Sequence, residues 1–205
     1  MIPETHIIYL RRAAICFIIT GVGYLIFSFP FWFLGAVDEG AKGKLILPFL
    51  FLVDDLFPMD WFFWHGPVAT AAMFIGAFSL WKVGEPTGFG KRLNFLYISM
   101  AGAISYFLGQ WMPLPFAPLG ALLTGLGMIL VGVASLKANV WTGWKRYIPL
   151  IVGCFPFLFM FPLLIITGNR PAAVIGFWGI PWIVLGITAW QRASEVKYSL
   201  SQSLS

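Results

Sequence analysis

Apolar residues run along this chain in stretches of about 20, separated by short polar segments. An α-helix of that length crosses a hydrocarbon core of about 30 Å. Six such stretches stand out, at 13–36, 63–82, 93–112, 115–136, 147–168 and 171–190. They predict six transmembrane helices, which use most of the 205 residues and leave no room for a soluble domain. The expected fold is all-α, a polytopic membrane protein forming one transmembrane domain over residues 1–205.

A basic pair precedes every second turn of this pattern: Arg11-Arg12, Lys91-Arg92 and Lys145-Arg146. The second and third pairs are 54 residues apart and the first and second 80, and removing the 26 residues from Val37 to Phe62 turns 80 into 54. The returning stretches also end alike. Gly76-Ala77-Phe78-Ser79-Leu80-Trp81-Lys82 matches Gly132-Val133-Ala134-Ser135-Leu136-Lys137 and Gly186-Ile187-Thr188-Ala189-Trp190-Gln191-Arg192. Thr87-Gly88-Phe89-Gly90-Lys91-Arg92 matches Thr142-Gly143-Trp144-Lys145-Arg146 in the loops that follow. Self-similarity at one period is the mark of an internal repeat. The expected architecture is three parallel two-helix hairpins, about 11–82, 91–137 and 145–192, with an outer insertion over about 37–62. Because each unit is a whole hairpin, all three share one orientation, unlike the inverted repeats of many transporters.

Composition agrees: the chain is 60% hydrophobic and only 10% charged, too little charge to cover a soluble surface. Its net charge of +5 raises the question of nucleic acid, and the charge distribution argues against it. Ten of the thirteen basic residues fall on one side of the six-span arrangement: Arg11, Arg12, Lys82, Lys91, Arg92, Lys137, Lys145, Arg146, Arg192 and Lys197. Only Lys42, Lys44 and Arg170 fall on the other. Lys/Arg-rich short loops stay in the cytoplasm, so both termini are expected there, in a bacterial-type plasma membrane. Attraction of these residues to anionic headgroups follows as a secondary effect. The first apolar stretch is too long for a signal peptide and lacks a small-residue cleavage site, so it is expected to be retained.

Cys16 and Cys154 are expected to be small buried thiols rather than a redox or metal pair. Prolines punctuate the spans at Pro30, Pro67, Pro149, Pro156, Pro162 and Pro181. A proline frees a helix carbonyl that neighbours must satisfy, so the stretch holding Pro156 and Pro162 is expected to be the least regular. Ala72, Gly76, Gly120 and Thr124 are small enough to let helices approach closely.

Candidate chemistry concentrates in the insertion. Leu45 to Val53 is apolar but too short to span, the length of an interfacial or re-entrant segment. Asp54, Asp55 and Asp60 follow, then the aromatic run Trp61-Phe62-Phe63-Trp64 and His65. Five of the eight acids, with Asp38 and Glu39, lie on this side. Acids hydrate an outer loop, and an aromatic run at headgroup level anchors a helix end. Asp60 and His65 are five residues apart and would converge if the second helix starts between them, as a tuned acid–base pair or metal donors. No spacing here matches a metal motif, so no metal or cofactor is assigned. The insertion is read instead as a ligand- or partner-binding element, with Asp54, Asp55, Asp60 and His65 as its candidate residues.

Within the spans, no Lys, Arg, Asp or Glu stands mid-membrane, which argues against proton pumping, voltage sensing or retinal attachment. Haem-ligating histidine pairs, nucleophile motifs and phosphate loops are missing too. The polar residues there are mild: Thr20, Ser28, Thr70, Ser99, Ser105, Tyr106, Gln110, Thr124 and Thr188. Gln110, beside Trp111 near the outer end of the third span, is the most polar and joins the candidate binding residues. No catalytic residue is assigned. The leading expectation is a non-enzymatic membrane scaffold or accessory subunit that meets the lipid bilayer with an aromatic-rich exterior, holding ten Trp and twenty-one Phe, and docks a membrane-protein partner through the insertion. The alternative is a carrier or binding protein for a neutral or hydrophobic ligand such as a lipid, with a cavity lined by Gln110 and Ser/Thr. A second alternative is an outer-face metal-dependent enzyme using Asp54, Asp55, Asp60 and His65.

Overall fold

The computed structural model describes residues 4–33, 61–90, 93–168 and 172–204. Among them helix is the only regular structure: α1 (Glu4–Phe33), α2 (Trp61–Val83), α3 (Leu96–Leu108), α4 (Pro113–Ala138), α5 (Ile148–Phe155), α6 (Phe161–Thr167), α7 (Ala172–Ile175) and α8 (Gly179–Leu204). A π-helical turn, Pro156–Met160, joins α5 to α6, and 3-10 turns over Leu93–Phe95 and Gly176–Trp178 lead into α3 and α8. Five helical stretches are long and apolar enough to cross a membrane: Glu4–Phe29, Gly66–Val83, Leu114–Ala138, Gly143–Thr167 and Ala172–Gln202. Leu93–Leu108 is apolar but shorter.

Three boundaries differ from the apolar pattern for identifiable reasons. The first and last helices overrun it, because charge at a membrane surface does not end a helix. Arg11 lies within α1 with its guanidinium 5.4 Å from the Trp190 ring, and Arg12 Nε donates to Ser79 Oγ at 2.8 Å. Leu10, Ala193 and Val196 are buried in the main core, with Ile7, Tyr9 and Leu200 packed against it. The third helix is instead cut short. It closes at Gly109, whose N–H donates to Ser105 O, and Met112 has already left helical geometry, at φ -127° and ψ 82°. Met112 precedes Pro113, and a residue before proline is pushed out of the helical region.

Contacts between helices set the arrangement. α1 packs along both α2 and α8, α3 along α4, and α4 along α5. Thr20 Oγ1 donates to Ala69 O at 3.0 Å, and with the Arg12–Ser79 bond this fixes α1 and α2 antiparallel. The main neighbour of α8 is α1, so the stretches expected to form a third hairpin lie mostly apart. Where α1 crosses α8, a Cβ on Gly21 would strike Gly179 O and a Cβ on Gly179 would strike Gly21 O. Gly76, Gly120 and Thr124 also sit at helix contacts, against the Phe17 ring, the Tyr106 backbone and Gly102.

The stretch with Pro156 and Pro162 is irregular, as expected, and its irregularity is put to use. Pro156 has no N–H to give the carbonyl of Val152 one turn earlier. That carbonyl accepts from Trp178 Nε1 at 2.8 Å. Trp178 and Trp182 are fully buried and form a cluster with Phe17, Tyr24 and Tyr106, at ring separations of 5.1 to 6.2 Å. Some of the aromatic content therefore fills the interior, while Trp111, Trp144, Phe159 and Trp190 among others stay exposed. For Trp178 the indole N–H matters: a buried Trp is most stable with an acceptor, and the proline-freed carbonyl supplies one, whereas the buried Trp182 Nε1 makes no hydrogen bond among the described residues.

The matching loop elements have unlike surroundings. Thr87 and Phe89 are buried, and Trp141 Nε1 donates to Thr87 O at 2.8 Å while its ring lies 4.6 Å from Phe89. Arg192 Nε adds a bond to Pro86 O at 3.1 Å. Thr142 and Gly143 are exposed, as is Trp144.

Candidate ligand cleft

Of the residues singled out from sequence, Asp54, Asp55 and Asp60 lie outside the described residues, as does the insertion from Val37 to Asp60. Trp61 and Phe62, assigned to that insertion, already belong to α2. His65 is in the first turns of α2, but its side chain lies outside the described residues, so its convergence with Asp60 does too. Gln110 is described. It sits in the turn between α3 and α4, where Nε2 donates to Tyr106 O at 3.2 Å. Its side chain lies over α2 so closely that a Cβ on Gly66 would collide with Oε1.

Gln110 lines a small cavity of about 10 Å³ with Tyr24, Thr70, Tyr106, Ala69 and Ile175. That is the space of about one water molecule. The early end of α3 creates it, because the turn swings the amide inward over Gly66. Thr70 Oγ1 donates back to Gly66 O at 2.9 Å, leaving its lone pairs as acceptors.

A second cavity of about 250 Å³ lies beside it, lined by Tyr106, Leu114, Ala117, Pro118, Ala121, Met160, Phe161, Leu164, Gly168 and Ile175. Its walls are the start of α4, the end of the π turn, α6 and α7. It exists because α6, beyond the proline-broken turn, is set away from α3 and α4. Leu114 at the rim is 78% exposed, so the slot opens to the bundle's surroundings. Tyr106 and Ile175 line both spaces and form a shared wall. Among the described residues lining the two, none is charged.

Both cavities lie at the end of the bundle away from Arg11, Arg12, Lys82 and Lys137. A third hollow, about 770 Å³, lies at that basic end between Glu85, Gly90, Phe95, Lys137 and Val140. Cys16 and Cys154 are both free thiols, Cys16 buried and Cys154 half-buried.

The slot takes apolar groups. Apolar cavities of about 150 Å³ stay dry and accept hydrocarbon, and small-ligand pockets start near 300 Å³. Sequence reasoning found Gln110, Thr70 and Tyr106 as polar residues in spans, and marked Pro156 and Pro162 as a break. It missed Tyr24, Met160 and Ile175, which are ordinary apolar-span residues until the chain is folded. The chain matches no protein-family model, no curated protein and no solved structure.

Proposed function

We propose that this chain is a non-enzymatic, six-span integral membrane protein that binds a neutral, hydrophobic ligand such as a lipid within its helices. In this reading Leu93–Leu108 is the sixth span, and both termini face the cytoplasm of a plasma membrane. The skew of Lys and Arg to one end supports that orientation. The observation that carries the ligand reading is the uncharged 250 Å³ slot with an exposed rim. In a bilayer such a slot faces acyl chains, and burying one there avoids an unfilled apolar void.

The test is purification in mild detergent followed by mass spectrometry of everything that co-elutes. The expected result is a defined lipid or other neutral hydrophobic molecule, depleted when Leu164→Trp narrows the slot. Protein that carries nothing, or whose cargo is indifferent to Leu164→Trp, overturns the reading.

One observation favours a second reading, a scaffold or accessory subunit. The stretch Gly143–Thr167 is only 22% buried, against 50% or more for the other four, leaving a long face for a partner helix. A stoichiometric protein partner in the same co-elution supports it.

A further inference from the structure

The slot and the small polar pocket are neighbours that share Tyr106 and Ile175, and the inference drawn from this rests on the ligand reading above. We propose that the ligand is an uncharged, single-chain amphiphile with one small hydrogen-bonding head, a long-chain alcohol in its simplest form, entering from the surrounding bilayer. The chain lies in the slot between α4 and α6. The head passes the edge of Tyr106 and Ile175, which border both spaces, into the polar pocket, where Gln110 and Thr70 supply donors and acceptors.

Three features select this occupant over other lipids. The polar pocket, at about 10 Å³, admits a group of water size, such as a hydroxyl or carbonyl oxygen, and excludes a phosphate or sugar headgroup. None of the described lining residues carries a charge, so a carboxylate head would lose its hydration without gaining a cation from them. The slot is a single apolar space, suited to one chain rather than two. Gln110 is the selective element. Its amide carries both an acceptor and two donors, of which Tyr106 O engages one. The contact with Gly66 holds it in place.

The test uses the full chain in nanodiscs, titrated with dodecanol, dodecane and dodecanoate at a pH where the acid is ionised, with bound ligand read by native mass spectrometry. Dodecanol is expected to bind saturably, at least about tenfold tighter than dodecanoate, a preference worth one decade of affinity. Gln110→Met keeps the length of the side chain and removes its polar atoms. It should weaken dodecanol about three- to tenfold, the size of one neutral hydrogen bond, and leave dodecane unchanged. Leu164→Trp should abolish binding of both, and Leu114→Trp at the exposed rim gives the same readout without touching the interior. Equal binding of dodecanoate, or dodecanol binding indifferent to Gln110→Met, overturns the amphiphile assignment while leaving the slot intact. Binding that survives both tryptophan variants overturns the slot itself, and the amphiphile assignment with it.

Discussion

At the scale of single residues, the chemistry turns on groups whose partners are far away in sequence. Trp178 is the clearest case. Its indole N–H satisfies the Val152 carbonyl that Pro156 leaves open. Trp178→Phe should therefore cost about 1–3 kcal/mol, the price of a buried acceptor left unpaired. In a Pro156→Ala background the helix regains its own donor, and the same substitution should cost distinctly less. A double-mutant cycle of unfolding free energies in detergent measures the difference, and additive effects would refute the pairing. Gly179→Ala tests a contact of another kind. The new methyl meets Gly21 O, so α1 and α8 must part, at about 1–3 kcal/mol. Proline positions and small residues were legible in the sequence as features needing a partner. Which partner was not legible, because Val152–Trp178 and Gly21–Gly179 are brought together only by packing. For the candidate site the same holds: Gln110 stands out as a polar residue in an apolar stretch, whereas Tyr24 and Ile175 gain meaning only by lying beside it.

At the scale of elements, apolar length predicts helices well and their ends poorly. α1 and α8 run on past the basic residues because Arg11 and Arg12 find Trp190 and Ser79, and long cationic side chains reach water while their stems stay buried. α3 stops early because the local sequence around Gly109 and Pro113 overrides its apolar content. The matched loops show that similar sequence does not secure similar roles. The segment Thr87-Gly88-Phe89 is strapped down by Trp141, and Gly88 holds φ +83° with the Trp141 ring where a side chain would go. Trp141→Phe should lower stability by about 0.5–1.5 kcal/mol, the net worth of one hydrogen bond. Trp144→Phe, at an exposed position, should stay within about 0.5 kcal/mol of the parent. Thermal melts of the two variants side by side read the contrast, and equal losses would show the loops to be equivalent after all.

At the scale of the whole molecule, apolar content carried the all-helical class and the membrane-spanning length of five helices, one fewer than the six apolar stretches suggested. Adjacency was less accessible: nothing in the spacing indicated that α1 would take α8 as its neighbour and leave α6 set apart. The orientation is open to a direct test. A cysteine at Ser201 should react with a membrane-impermeant thiol reagent only after the cells are opened, and one at Trp111 should react in intact cells. The reverse pattern would invert the protein in its membrane. Unequal enclosure of the spans has a further consequence, for how this sequence tolerates change over generations. Gly143–Thr167 is 22% buried, while Ala172–Gln202 is 61% buried and Glu4–Phe29 56%. Along the open face of the former, at Leu158, Ile165 and Ile166, lipid asks only for oiliness. Such positions are free to drift among Leu, Ile, Val and Phe. Positions such as Phe17, Met73 and Leu185 answer to the shape of a neighbour, and there variation should be rare.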